Sequence, residues 1–268
     1  MLLTVDHVTR YIYDQPVRAV VQSHRLTPSV FEGQRTLRWE VTVSDGMRGG
    51  TFKDGAGDWI EGWSVQGPVS EITVRVQGEV ETRDLAGVLK GHREVISPEA
   101  YLRKTIATEV DTELAKLAVG LATDENPLSA AHELSSRIAE AIEYTAGSTT
   151  SSTTAAEAMA LGRGVCQDHA HALIAVARHI GMPARYVSGY LLADNEGKKH
   201  EAAHAWAEIY ISSLGWVGFD PSNSCCPDDR YIRLGSGFDA QDAAPIRGTT
   251  RGPGEESLAV IVSVQTQQ

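Results

Sequence analysis

Three residues of this chain are of types that could together break an acyl bond. Cys166 opens the stretch CQDHAHALIAVARHIG, His204 opens HAWAEIYI and Asp220 closes GWVGFD. Arriving in that order, a cysteine, a histidine and an aspartate supply a nucleophile, a general base and a carboxylate that orients the base. A cysteine at the start of a helix meets unpaired N–H groups and the positive end of the dipole, which favour thiolate over thiol. The backbone N–H of the same residue is the expected first donor to an oxyanion. Taken singly, each of the three has an ordinary structural role: a small buried thiol, a core imidazole, a turn aspartate before proline. Their joint placement carries the chemistry.

A second motif competes with this reading. HEAAH, residues 200–204, matches the zinc-peptidase pattern H-E-x-x-H, which needs a helix to put both histidines on one face. Here the motif follows a polar DNEGKK turn and leads into alternating apolar and polar residues, so a strand is expected and zinc is not. No metal and no other cofactor is expected. His169 and His171 are expected to be structural, and Asp168 to be a first-turn acid that suits the helix dipole.

The elements must then deliver the three side chains to one place. Ala170, Leu173, Ile174, Ala177 and Ile180 recur at helical spacing behind Cys166, with Gly181 as a stop and Pro183 beyond it. In HAWAEIYI, His204, Trp206, Glu208 and Tyr210 share one strand face, and Ala205, Ala207, Ile209 and Ile211 the other. In GWVGFDP, Trp216, Gly218 and Asp220 oppose Val217 and Phe219. Pairing the two apolar faces in a hairpin that turns at SSLG forces His204 and Asp220 onto one side, nearly opposite each other.

Upstream, residues 1–96 read as a β-rich module. LTVDHVTRYIYD, LRWEVTVSD, WIEGWSV and ITVRVQGEVETRD alternate, with a DGAGDW turn among them. From Ser97-Pro98-Glu99 the period turns helical, with helices expected over residues 112–122 and 127–145 and a polar loop over 147–164. ARYVSGYLL (184–192) is a further strand. Past Cys225-Cys226 the chain reads as loop until a final strand, SLAVIVSVQ (257–265). The fold class is α+β: an N-terminal all-β domain, then a core over residues 97–268 in which the cysteine-bearing helix packs on an antiparallel sheet and which ends in the final strand.

Composition narrows the partners. Among 268 residues, 35 acidic side chains against 24 basic ones leave a formal charge of -11, which disfavours nucleic acid and anionic membranes. No run nears the roughly 20 apolar residues of a membrane span. Three cysteines, two of them adjacent, make no disulfide framework, so a reducing, cytoplasmic setting is expected.

The segments GVCQDHAHALIAVARHIGMPARYVSGYL and HAWAEIYISSLGWVGFDPSN strongly resemble the transglutaminase-like superfamily of papain-like thiol enzymes, and within it a bacterial subfamily with an N-terminal β domain described as cysteine proteases. RYIYDQPVRAVVQSHRLTPS and the C-terminal YIRLGSGFDAQDAAPIRGTTRG extend the resemblance over nearly the whole chain. It implies that Cys166, His204 and Asp220 are a catalytic triad acting on a peptide or protein substrate. It implies a cysteinyl acyl-enzyme and leaves the acyl acceptor open; hydrolysis of a peptide, isopeptide or amide bond is expected, since water is always available and the sequence shows no acceptor site. Transfer of the acyl group to an amine (protein-glutamine transamidation) is the alternative, and a non-catalytic binding module is the remaining one. The chain departs from the subfamily at Gly237-Phe238-Asp239-Ala240, where G-R-D-Y is usual, and at Asp58, where asparagine is common. Cys225-Cys226 matches nothing in the pattern.

Overall fold

The computed structural model describes residues 1–123, 125–192 and 203–266. Its first half is built on two long antiparallel strands, β1 (Leu2–His24) and β4 (Trp59–Thr82), flanked by β2 (Gln34–Val43) and β3 (Gly46–Lys53). Strict alternation in β1 turns Leu3, Val5, His7, Thr9, Tyr11 and Tyr13 to the buried side. The β1–β4 ladder is interrupted between Ile12 and Val17, around Pro16, which has no N–H to donate. WIEGWSV and ITVRVQGEVETRD are halves of one strand rather than two.

The other half begins with short helical turns and α1 (Thr112–Lys116), which ends well before residue 122. It continues through α2 (Pro127–Ala141), β5 (Glu143–Tyr144), α3 (Ala155–Leu161), β6 (Arg163–Gly164) and α4 (Cys166–His179). Helix α3 lies inside the stretch expected to be loop. Thr154 and Glu157 cap its start reciprocally, and Gly162 at φ +63° closes it in the left-handed region. Then come β7 (Ala184–Leu191), β8 (Ala203–Ile211), β9 (Gly215–Phe219) and β10 (Tyr231–Gly237), an antiparallel sheet in the order β10-β7-β8-β9. Helix α4 packs on one face of this sheet. Leu173, Ile174 and Ala177 meet Ala205, Ala207, Ile209, Val217 and Phe219 there, and α2 and α3 close the cluster with Leu134, Ile138, Ala155 and Ala158.

The last strands return to the first sheet. β11 (Ile246–Arg251) and β12 (Glu256–Thr266) both pair with β1. The final strand, expected with the second half, thus completes the first sheet: Val262 and Val264 stand opposite His7 and Val5, extending the same inward face. β10 and β11 fall where loop was expected. Tyr190, Ile232 and Leu234 join the apolar core of the first half, so the two halves share buried surface along the β10 edge. No helix of the described residues is long and apolar enough to cross a membrane.

Candidate active site

Cys166 is the first residue of α4 and is half-buried. The Asp168 carboxylate accepts the Val165 N–H at 2.7 Å and the Thr149 hydroxyl at 2.6 Å. It therefore caps the helix that carries the thiol and pins the preceding polar loop beside it. The Gln167 amide reaches the same loop at the Ser151 carbonyl. The N–H of Cys166 lies in the first turn, where no intrahelical acceptor exists.

His204 and Asp220 come together as the hairpin pattern requires. β8 and β9 pair with Ala207 opposite Phe219 and Ile211 opposite Gly215. This register brings Asp220 level with Trp206 and leaves His204 diagonal to it rather than opposite, because the turn between the strands spans residues 212–214. The imidazole bridges the diagonal: His204 Nε2 lies 2.6 Å from Asp220 Oδ2. With Nε2–H donating to the carboxylate, Nδ1 is the nitrogen left for Cys166, whose side chain is among the groups that favour the imidazolium.

The electrostatics follow from that geometry. Burial of His204 alone would disfavour its cation, but the hydrogen bonds to Asp220 and Cys166 override it and raise the imidazolium to about 10. Burial would likewise raise Asp220. The bond from His204, helped by Asn223 and Ser222, instead holds its carboxyl at about 2. Five donors serve this one carboxylate. Oδ2 takes His204, Asn223 Nδ2 at 2.7 Å and the Tyr231 hydroxyl at 2.9 Å. Oδ1 takes the Ser222 N–H at 3.1 Å and its hydroxyl at 2.6 Å. Trp206 stacks beside His204, and Tyr231 meets it edge-on. Asn223 lies in the quoted FDPSN stretch, where a local turn was legible. Tyr231 carried no signal, because its approach depends on strand order.

The other histidines of α4 have structural partners. His169 bridges the carbonyls of Val165 and Ile142, and His171 Nε2 accepts the Ala240 N–H. Of HEAAH, His200 and Glu201 lie outside the described residues, as does the DNEGKK turn. Among the described residues no cluster of three or more His, Cys, Asp or Glu side chains could hold a metal. Cys225 Sγ touches the Tyr231 hydroxyl at 3.3 Å, and burial pushes the neighbouring Cys226 thiol up to about 11.

Behind His204, on the same face of the sheet, lies a buried ionic network. Glu208 accepts Arg185 Nε at 2.7 Å and Arg233 Nε at 2.8 Å. Arg233 reaches Asp58 at 2.7 Å, and Arg185 pairs with Glu94 while its guanidinium lies 4.0 Å over the Trp216 ring. Asp58, fully buried, also accepts Ser29 and both the N–H and hydroxyl of Ser236. The two arginines hold its carboxyl below the usual range against the opposing effect of burial. The acid that replaces the usual asparagine thus joins the first half of the chain to β10.

A helix-borne thiol, a hydrogen-bonded histidine–aspartate pair and an α+β frame of helix against antiparallel sheet define the class as the fold of a transglutaminase-like core. Residues 115–221 match the transglutaminase-like superfamily, and residues 3–81 match the bacterial transglutaminase-like N-terminal region. The chain belongs to the transglutaminase-like superfamily. An uncharacterized protein of Mycobacterium leprae is 30% identical over 280 residues, covering 98% of both chains. A crystal structure of a protein provisionally called a cysteine protease, from Cytophaga hutchinsonii, superposes with a TM-score of 0.75 at 22% identity, covering 100% of this chain and 92% of that one. A protein-glutamine gamma-glutamyltransferase of Pseudomonas aeruginosa is 37% identical over 71 residues, 24% of this chain and 11% of that protein.

Proposed function

We propose that this chain is a thiol hydrolase that cleaves a peptide, isopeptide or amide bond in a peptide or protein substrate. The observation that supports it is the 2.6 Å bond that fixes the His204 imidazole on Asp220, with Cys166 among the groups that act on that imidazole. Cys166 Sγ attacks the carbonyl carbon, and the oxyanion is met by the Cys166 N–H. The His204 imidazolium gives its proton to the departing amine, leaving a thioester. Neutral His204 then takes a proton from water as the water attacks, and the collapse of that second tetrahedral species returns the thiolate. Asp220 keeps Nε2 protonated and Nδ1 turned to the sulfur throughout. A reducing compartment suits this chemistry, since all three cysteines are free thiols.

Cys166→Ala abolishes turnover of an unbiased peptide and amide library read by mass spectrometry. Iodoacetamide labels Cys166 ahead of Cys225 and Cys226, both of whose thiols are pushed up by burial. Equal labelling of all three, or turnover that survives Cys166→Ala, would sink the reading. The sign of the pH dependence is set by His204: its proton is needed by the leaving amine, so activity falls on the alkaline side as pH rises through about 10. The stretch shared with the gamma-glutamyltransferase supports a second outcome, resolution of the thioester by an amine. Adding a fluorescent primary amine to the same assay separates the two, because transamidation incorporates it and hydrolysis does not.

A further inference from the structure

Tyr231 lies outside the three residues proposed to react, yet its hydroxyl donates to the same carboxylate oxygen that His204 uses. Its ring sits edge-on to His204 at 5.9 Å and to Trp206 at 5.5 Å. We propose that Tyr231 is a positioning residue for the His204–Asp220 pair, and that the N-terminal sheet sets Tyr231 in place. This rests on the reading of Cys166, His204 and Asp220 as the reacting group.

The donors to Asp220 divide by where they come from. Ser222 and Asn223 follow it directly in the chain and travel with it, so they shape the carboxylate's own turn, from which Asn223 Nδ2 also lies 3.3 Å from His204 Nε2. Tyr231 comes from β10, separated from β8 by β7. Its hydroxyl therefore ties the turn at Asp220 to the far edge of the sheet, while its ring fills the space beside the imidazole. A donor of that kind decides where Oδ2 stands relative to His204.

Tyr231 is itself held between two anchors, both supplied by the first half of the chain. Two residues before it, the Thr82 hydroxyl at the end of β4 donates to the Asp229 carbonyl. Two residues after it, Arg233 donates its N–H to Gln34 Oε1 at 2.8 Å and accepts Gln34 Nε2 at 2.9 Å, while its guanidinium reaches Asp58. The Ser29 N–H adds a further bond to the Arg233 carbonyl at 2.9 Å. The N-terminal half thus grips β10 on either side of the one residue that reaches Asp220.

The test reads His204 directly and needs no substrate. The full chain is labelled at histidine Cε1, and the His204 resonance, assigned with His204→Gln, is followed against pH by NMR. The titratable groups facing His204 are Asp220, Cys166 from α4 and Tyr231 from β10, with Cys225 behind Tyr231. In Tyr231→Phe, Oδ2 is no longer held against the imidazole and its bond to the imidazolium weakens, so the midpoint falls by about 0.5 pH; a rise would mark Tyr231 as a competing donor only and would overturn the proposal. Thr82→Val keeps Tyr231 and loosens only its anchor, and gives a smaller fall. An unmoved midpoint in both folded variants overturns the proposal, as does an unmoved midpoint in Thr82→Val where Tyr231→Phe does not fold. A Cys166→Ala protein that still turns over substrate would instead count against the reaction, and leaves this reading of His204 separate.

Discussion

The two faces of the four-stranded sheet solve different problems with the same strands. Against α4, β8 presents Ala205, Ala207, Ile209 and Ile211, all buried in an apolar cluster. On the opposite face the alternate residues are His204, Trp206 and Glu208, and β7 and β10 add Arg185, Tyr231 and Arg233. Apolar packing is non-directional and tolerates small adjustments. A buried ionic network is directional and penalises any partner left alone. The helix carrying Cys166 is thus seated by bulk packing, while the strand carrying His204 is locked in register by charge.

That contrast is testable by breaking each face once. Glu208→Gln leaves two buried guanidiniums facing one neutral amide, and a cost of about 3–5 kcal/mol is expected, read by denaturant unfolding. Replacing Arg185, Glu208 and Arg233 together with apolar residues of similar volume, in a background carrying Asp58→Asn and Glu94→Gln so that neither carboxylate loses its arginine partner, removes the orphaned charges as well, and should cost far less than the single change. If the single and triple variants were equally destabilised, the network would be acting through packing alone, and the distinction between the faces would fall. Should Glu208→Gln prove neutral, water must enter to solvate the arginines.

How much of this was legible depended on the range of the interactions involved. α4 could be read from Ala170, Leu173, Ile174 and Ala177, because a helix face is encoded over adjacent turns. The β8–β9 hairpin was legible for a similar reason: matching Ala207 and Ile209 to Val217 and Phe219 sets which side His204 and Asp220 share, and a slip of one residue would bury the wrong side. The exact diagonal between them was not legible, since it depends on where the turn closes. α3 was hidden by the serine- and threonine-rich run before it, although Thr154 and Glu157 spell a capping box. β10 reads as loop because YIRLGSG alternates poorly and contains two glycines; it becomes a strand only when β7 offers an edge and Gln34 and Ser29 take its other side. The ionic network joins residues as far apart as Asp58 and Arg233, a distance over which no local pattern exists.

The apolar face has its own break. Leu173 on α4 is fully buried in the cluster with the β8 alanines, so Leu173→Ala should cost about 3 kcal/mol through lost burial and the cavity left behind. The expected signature differs from that of Glu208→Gln. The loss scales with how far the small neighbours Ala205 and Ala207 can close in, so the cavity variant should regain stability with a small apolar ligand such as benzene. A charged-face variant should not. Recovery of both, or of neither, would mean that the two faces are not separable in this way.

The smallest expected effect isolates burial from chemistry. Arg75 forks onto Asp6 through Nε at 3.1 Å and Nη2 at 2.8 Å, much as Arg233 forks onto Glu208 through Nε at 2.8 Å and Nη2 at 3.3 Å. The groups and the geometry are alike, but Arg75 and Asp6 are 47% and 43% exposed whereas Arg233 and Glu208 are 3% each. Water solvates the exposed pair whether or not it is joined, and salt screens what attraction remains. Arg75→Ala should therefore shift Tm by less than about 2 °C at physiological salt, with the difference vanishing at about 1 M salt. Asp6 is held below the usual carboxylate range by Arg75, so its stabilising contribution is present above the unfolded carboxyl value and is lost as pH falls through the lowered one. A large, salt-insensitive loss in Arg75→Ala would show that fork geometry, rather than burial, is what gives the charged face its rigidity.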